Sequence, residues 1–388
     1  MTIIYRLAGP PHKILYRRRM NELPQILPLD GVGDEAAWQW FARQIEAQSA
    51  DLGAPTAFAH MDPPTPDLAS RLVGLNARYN QNLLHPDLSP FASRAEARVI
   101  DWLAPAFGMQ GGHMCSGSTL ANLTALWCAR ESGAKRVISS IDAHISIAKS
   151  AHLLGLPYEP MPVTKHGRLD RQHLGVTDDA VVVLNAGTTG RGVIDELALV
   201  DCAWTHVDAA WAGPLRFTRY AQRLDGIEAC DSVAISAHKW LYQPKDSALI
   251  LFADTAAQEH VTFGSSYLAT ANVGVQGSRS AAGVALLATL LAWGQHGLAS
   301  RIEKNMDDAQ ALATRLANDA RVELKQVPET GVVNWRPIHS STETMVACLG
   351  DSASSVEIDG ACWLRHVAAN LHVDIDQLWA RISRALDA

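Results

Sequence analysis

The sequence contains no CxxC pair and no cysteine–histidine spacing of the kind that closes a zinc site. Its six cysteines, Cys115, Cys128, Cys202, Cys230, Cys348 and Cys362, are scattered. No metal centre is expected, and reduced thiols in a cytoplasmic protein are. No glycine-rich loop is followed by Gly-Lys-Ser/Thr, and GxGxxG is absent, which excludes the Walker and dinucleotide fingerprints. Positive charge is not in excess: the net charge is −7, and the one basic cluster, Arg17-Arg18-Arg19, is short. Nucleic acid and anionic membrane are therefore not expected partners. The N-terminus lacks the apolar core of a secretory signal, and the longest apolar run, residues 281–293, is too short to cross a bilayer. Internal repeats and low-complexity segments are missing too. What is present is 388 residues, 48% hydrophobic and 19% charged, enough for a large buried core and more than one small domain needs.

Three regions follow from the patterning. Residues 1–55 read as an arm broken by Pro10-Pro11, Pro24 and Pro28, then a helix in which Trp38, Trp40, Phe41 and Ile45 recur at helical spacing. Residues 56–295 read as a large domain. Leu68–Leu84 is helical, and a second helix starts at Ser93 with Glu96 at the capping-box spacing. Gly111–Asn122 is a glycine-rich turn feeding small hydroxyl residues into a helix. Strand-like runs at 136–141, 180–185, 204–208, 231–236 and 247–252 alternate with helices or loops, which predicts an α/β domain with a mostly parallel sheet. Residues 262–277 form a long glycine-bearing loop. Residues 296–388 read as a small α+β domain, with strands at 331–336 and 344–349, a helix at 360–371 and a last helix from Asp374.

The chemistry centres on Ser236-Ala-His-Lys239-Trp240. A lysine at a strand end in apolar surroundings loses ammonium character and can form a Schiff base. His144, Thr188, Asp208 and Lys239 all stand at or just past a strand end, where α/β sheets bind ligands. Pyridoxal phosphate would use this set. Lys239 offers the amine, and Asp208, 31 residues earlier, offers the carboxylate for the pyridine nitrogen. Ser118, Thr119, Ser236 and His238 can form a phosphate cup at a helix start. Ala210 and the imidazole of His144 can sandwich the ring.

In order along the chain, Ser89-Pro-Phe-Ala-Ser-Arg-Ala-Glu96, Ser116-Gly-Ser-Thr-Leu-Ala-Asn122, Ala143-His144, Gly187-Thr-Thr189, His206-Val-Asp-Ala-Ala-Trp-Ala-Gly213 and Ser236-Ala-His-Lys-Trp-Leu241 resemble the group II pyridoxal-phosphate-dependent amino-acid decarboxylases over about residues 60–290. The resemblance implies a fold-type-I homodimer with shared active sites and a seven-stranded-type, mostly parallel sheet. It implies decarboxylation of an L-amino acid to a primary amine through a Lys239 aldimine. Thr188 matches the position near the ring and substrate carboxylate, and Tyr267 best matches the loop tyrosine that protonates the substrate carbon. Arg336 and Arg279 are candidates for binding the substrate carboxylate, and His85 and Asn82 for lining the substrate pocket. The chain departs from the family in its shorter connection to His144, its short loop around Tyr267, and Leu120 where many members carry an acid. Alternatives on the same cofactor are an aldehyde-forming decarboxylation, a retro-aldol cleavage and a transamination; a non-catalytic cofactor-binding homologue is a further one.

Overall fold

The computed structural model describes Leu23 and residues 25–388, so the Arg17–Arg19 cluster and the start of the arm lie outside the described residues. Residues up to 51 and residues 52–388 form separate compact units. The first contains helix α1 (Asp34–Gln48), with Asp34 and Glu35 in its first turn, where acidic side chains complement the helix dipole. Trp40 meets Phe41 edge to face, while Trp38, Phe41 and Ile45 are exposed.

The second unit begins with α2 (Asp67–Arg78) and α3 (Pro90–Leu103). It continues through β1 (Gly111–Cys115), α4 (Ser118–Glu131), β2 (Arg136–Ser140), α5 (Ile145–Leu154) and β3 (Tyr158–Met161). Next come β4 (Ala180–Asn185), β5 (Trp204–Asp208), β6 (Ser232–Ser236), β7 (Ala248–Phe252) and a small hairpin, β8 (Thr262–Phe263) with β9 (Asn272–Val273). The chain closes with α6 (Ala282–Ala317), β10 (Val322–Leu324), β11 (Val332–Pro337), α7 (Thr342–Leu349), β12 (Ser354–Ile358), β13 (Ala361–Val367) and α8 (Ile375–Asp387).

Seven strands form the main sheet in the order β1-β7-β6-β5-β4-β2-β3. The β3, β2, β4, β5 and β6 pairings are parallel, and β7 runs antiparallel to both of its neighbours, β6 and β1. All residues of β4, β5 and β6 are buried, as central strands covered on both faces must be, and β4 is an almost continuous apolar run. Because β2, β4, β5 and β6 are adjacent and parallel, the loops at their carboxyl ends, which carry His144, Thr188, Asp208 and Lys239, open on one edge of the sheet. A second, antiparallel sheet has the order β10-β11-β13-β12.

The structure corrects several sequence expectations. The first half of the glycine-rich turn is edge strand β1, in which Gly112 lies so close to β7 that a Cβ would fall 2.0 Å from the Ile250 carbonyl oxygen. The helix expected to reach Leu84 ends at Arg78. Helix α3 begins at Pro90, three residues before the expected Ser93 cap, and Glu96 pairs with Arg279 and not with a cap N–H. Residues 344–349 belong to helix α7, whose N-cap Ser341 accepts from Thr344 N–H at 3.1 Å. Residues 361–367 are strand β13, joined to β12 through Asp359-Gly360, both at positive φ (52° and 72°) in a tight hairpin turn. Helix α6 runs past the expected boundary at 295–296 with a break at Gly294, whose φ is 63°. It is long and apolar enough to cross a membrane, yet Leu286, Leu298, Ile302 and Leu312 are buried in the protein core.

Candidate active site

Lys239 sits in the reversal between β6 and β7. The Ser247 carbonyl closes this reversal by accepting from Ala237 N–H (2.9 Å), His238 N–H (3.1 Å) and His238 Nδ1–H (3.0 Å). The next residue, Trp240, is fully buried, packs against Trp211 with ring centroids 4.1 Å apart and the planes tilted by 32°, and donates its indole N–H to the Ala368 carbonyl at 2.9 Å. The lysine is thus held from both sides. Burial pushes its ammonium below its ordinary pKa, with the Asp208 carboxylate opposing. An amine so placed is a competent nucleophile.

Asp208 ends β5 and is buried. Its Oδ1 accepts from Ala210 N–H at 3.1 Å and its Oδ2 from Asn122 Nδ2 at 2.9 Å. Ala210 is buried beside it and has no side chain beyond Cβ to obstruct a flat ring. His144 caps helix α5: its Nδ1 accepts from Ser146 N–H at 3.2 Å and lies 2.8 Å from Ser146 Oγ. Burial lowers the pKa of this imidazole. Thr188 is buried in the turn after β4, where its hydroxyl accepts from Val193 N–H at 3.2 Å.

These residues fit pyridoxal phosphate on two further observations. Ser236 Oγ is fully buried at the end of β6 and has no hydrogen-bond partner, a cost of about 1–3 kcal/mol that a phosphate oxygen would relieve. Helix α4 starts at Ser118 and Thr119 without a side-chain cap, leaving N–H groups for an anion. His238 differs from the other cup residues. Its Nδ1–H is committed to Ser247, and burial, together with Lys245 and Lys239, pushes its pKa down to about 4. It can donate to a phosphate only as an imidazolium, which the phosphate charge itself would favour.

The substrate-side candidates do not form one site: Asn82 Oδ1 accepts from Arg279 N–H at 3.4 Å and His85 lies by Tyr267, while Arg336 pairs with other residues on the small sheet. Arg336 pairs with Glu323 at 2.6 Å and lies over the Trp363 ring at 4.6 Å, half-exposed on the small sheet. Arg279 holds Glu96 in a bidentate pair and lines a cavity of about 460 Å3, shared with His113 and Gln258, that does not include Lys239, Asp208 or His144. Asn82 shapes its own loop, accepting from Leu84 N–H at 3.0 Å and donating to Ser278 Oγ at 3.2 Å. Tyr267 is 70% exposed, with the His85 ring 6.5 Å away.

Sequence reasoning missed Arg365. It lies on β13 and donates to the Thr189 carbonyl (2.9 Å), one residue past Thr188, and to the Ala59 carbonyl (3.4 Å). Its Nε is buried without a partner, and among the described residues it forms no ion pair. Burial lowers its pKa, and it acts on the charge of Lys239. A half-buried guanidinium that forms no ion pair among the described residues, with Asp62 acting on it only through its charge, suits an incoming carboxylate. Reading residues 360–371 as a helix concealed it; the Asp359-Gly360 hairpin signal would have placed it on a strand.

Comparison with known proteins gives the family. Residues 53–337 match the pyridoxal-dependent decarboxylase conserved domain. The chain is 31% identical over 359 residues to the L-2,4-diaminobutyrate decarboxylase of Rhizobium meliloti (strain 1021), covering 82% of this chain and 71% of that protein. Its fold is shared with Catharanthus roseus tryptophan decarboxylase in complex with L-tryptophan (TM-score 0.82, 19% identity, 98% of this chain and 92% of that one). Rhodiola rosea 4-hydroxyphenylacetaldehyde synthase matches with the same four values (0.82, 19%, 98% and 92%). With most of its length matched and a lysine–aspartate pair at adjacent strand ends, the chain belongs to the pyridoxal-dependent decarboxylases, carboxy-lyases whose cofactor is pyridoxal phosphate.

Proposed function

We propose that this enzyme converts an L-amino acid to a primary amine and CO2. The observation that carries the reading is Asp208, buried at the end of β5, with Lys239 just past the end of the adjacent β6 and the two charges interacting, together with Arg365, a half-buried cation with no ion pair among the described residues that acts on the lysine charge. Bound pyridoxal phosphate supplies an aldehyde for amines and a protonated ring that accepts the electrons left when CO2 departs. Lys239 would hold the cofactor through its amine. Asp208 would keep the ring nitrogen protonated, while Ser118, Thr119 and Ser236, with His238 as imidazolium, would hold the phosphate. His144 and Ala210 would hold the ring between them. Arg365, and not Arg336 or Arg279, receives the substrate carboxylate beside Thr188.

Tyr267 returns a proton to the substrate carbon. Its exposure is what a loop serving the active site of the second subunit of a homodimer would show, and the six free cysteines suit a cytoplasmic location. The relative at 31% identity makes L-2,4-diaminobutyrate the first substrate to try.

The test is a mass-spectrometric screen of the common amino acids plus L-2,4-diaminobutyrate, with CO2 measured alongside. One amino acid should yield its amine and CO2 in equal amounts, and Lys239→Ala should lose both that turnover and the cofactor absorbance that borohydride abolishes. An aldehyde or keto acid as the main product would replace the reading with another reaction on the same cofactor. No turnover on any amino acid would replace it with a cofactor-binding homologue.

A further inference from the structure

Asn122 sits at the centre of a buried hydrogen-bond chain whose direction follows from the Asp208 carboxylate, which can only accept. The Asn122 amide therefore turns its nitrogen to that side and donates its two hydrogens to Asp208 Oδ2 (2.9 Å) and Ser146 Oγ (3.0 Å). Its Oδ1, which can only accept, faces His206 Nε2 at 3.0 Å, so that nitrogen carries the His206 proton. Burial, which pushes the His206 pKa to about 4, keeps the ring neutral. His206 Nδ1 thus accepts from the Ser232 hydroxyl at 2.8 Å, and Ser232 Oγ accepts from Trp204 Nε1–H at 2.9 Å. Ser146 Oγ, having accepted, turns its own hydrogen to His144 Nδ1 at 2.8 Å, which also accepts the Ser146 backbone N–H at 3.2 Å. With two donors aimed at Nδ1, the His144 proton is on Nε2. Asn122, His206 and Ser232 are fully buried and Ser146 nearly so, so water does not compete.

We propose that Asn122 is a positioning residue that transmits this polarity to two groups at once: it holds the Asp208 carboxylate in place and fixes His144 as the Nε2–H tautomer. The inference rests on the proposed roles of Asp208 and His144, but not on the identity of the reaction. It has a chemical consequence. The His144 imidazole would present a neutral N–H donor to a bound ligand, and the Asp208 carboxylate cannot rotate without breaking contact with Asn122.

The test uses full-length protein with its cofactor, labelled with 15N-histidine, with His144 assigned by loss of its signals in His144→Gln. Wild type should show His144 Nδ1 as a bare nitrogen and Nε2 as a protonated one. Asn122→Asp removes both amide hydrogens and sets a second carboxylate against Asp208. It should give His144 as a mixture of tautomers and raise the cofactor dissociation constant about ten- to a hundredfold. Ser146→Ala keeps the Asn122–Asp208 contact, so it should mix the tautomers of His144 while leaving cofactor affinity within about threefold of wild type. This split is what a general loss of structure would not produce. The proposal is overturned if His144 keeps one tautomer in both variants, or if both lose cofactor affinity equally. Neither readout requires turnover, so a failure here is distinct from a failure to find a decarboxylated product.

Discussion

Replacing Arg365 with Met tests the assignment of the carboxylate anchor. On β13 Arg365 stands opposite Asn334 of β11 and Ser354 of β12, donating to two backbone carbonyls and lacking an ion-pair partner among the described residues. A substrate carboxylate that meets it forms a desolvated charge pair, and truncating one member of such a pair costs about 2–5 kcal/mol. At about 1.4 kcal/mol per tenfold, kcat/KM should fall by roughly thirty-fold to several thousand-fold. The same substitution at Arg336 provides the contrast. Its partner Glu323 is about half exposed (48%), and a pair of this kind is worth at most about 1 kcal/mol. Arg336→Met should leave kcat/KM within about twofold. Steady-state kinetics on both variants, with bound-cofactor absorbance as the control for an intact site, decides the matter. An Arg365→Met enzyme that binds cofactor and keeps kcat/KM within about threefold would refute the reasoning, and a large loss in Arg336→Met alone would return the role to the arginine first read from the sequence.

Stability should depend on acid through His206 and His366, both fully buried, with pKa values pushed by burial to about 4. The unfolded chain takes up these protons from about pH 6.5 downward and the folded chain does not, so stability is full above about 6.5 and lost as pH falls toward 4, by about 3 kcal/mol per histidine. Urea unfolding at a series of pH values measures this, and a flat profile between pH 7 and 4 would contradict it. Gly331→Ala would set a Cβ 2.7 Å from Trp240 Cζ2, against an indole already fixed by Trp211 and Ala368. We expect a loss of about 1–3 kcal/mol in unfolding free energy and weaker cofactor retention, since the strain enters beside Lys239; an unchanged melting temperature would show that Trp240 can move. Glu96→Ala leaves Arg279 mostly buried without its carboxylate and should cost about 3 kcal/mol in chemical denaturation, whereas Glu96→Gln, which keeps hydrogen bonding, should cost less.

The large sheet was legible because β4 is an almost continuous apolar run, strand-like segments alternate with helices or loops around it, and chemistry-bearing residues stand at or just past the strand ends, as in a parallel sheet. The C-terminal part was misread for a physical reason. Met345-Val-Ala-Cys-Leu349 and Ala361-Cys-Trp-Leu-Arg-His-Val367 are short apolar runs that fit either period, and what decides between them is local: the Ser341 cap for the helix and the Asp359-Gly360 turn for the hairpin. Arg365 followed that error out of sight. The role of Asn122 lay beyond local patterning altogether, because its partners His206 and Asp208 are 84 and 86 residues away. The sequence marks Asn122 as part of a motif; only the fold brings it to the carboxylate.

The indole of Trp240 ends on the carbonyl of Ala368, 128 residues further along the chain. During synthesis the lysine therefore leaves the ribosome long before the strand that secures its neighbour exists. A nascent chain truncated before residue 368 carries every residue proposed to touch the cofactor, yet lacks the acceptor for that indole. The order of assembly is thereby set by the covalent order of the chain: the reversal around Lys239 reaches its final form only when the small sheet closes, and durable retention of pyridoxal phosphate is an event of the nearly finished polypeptide.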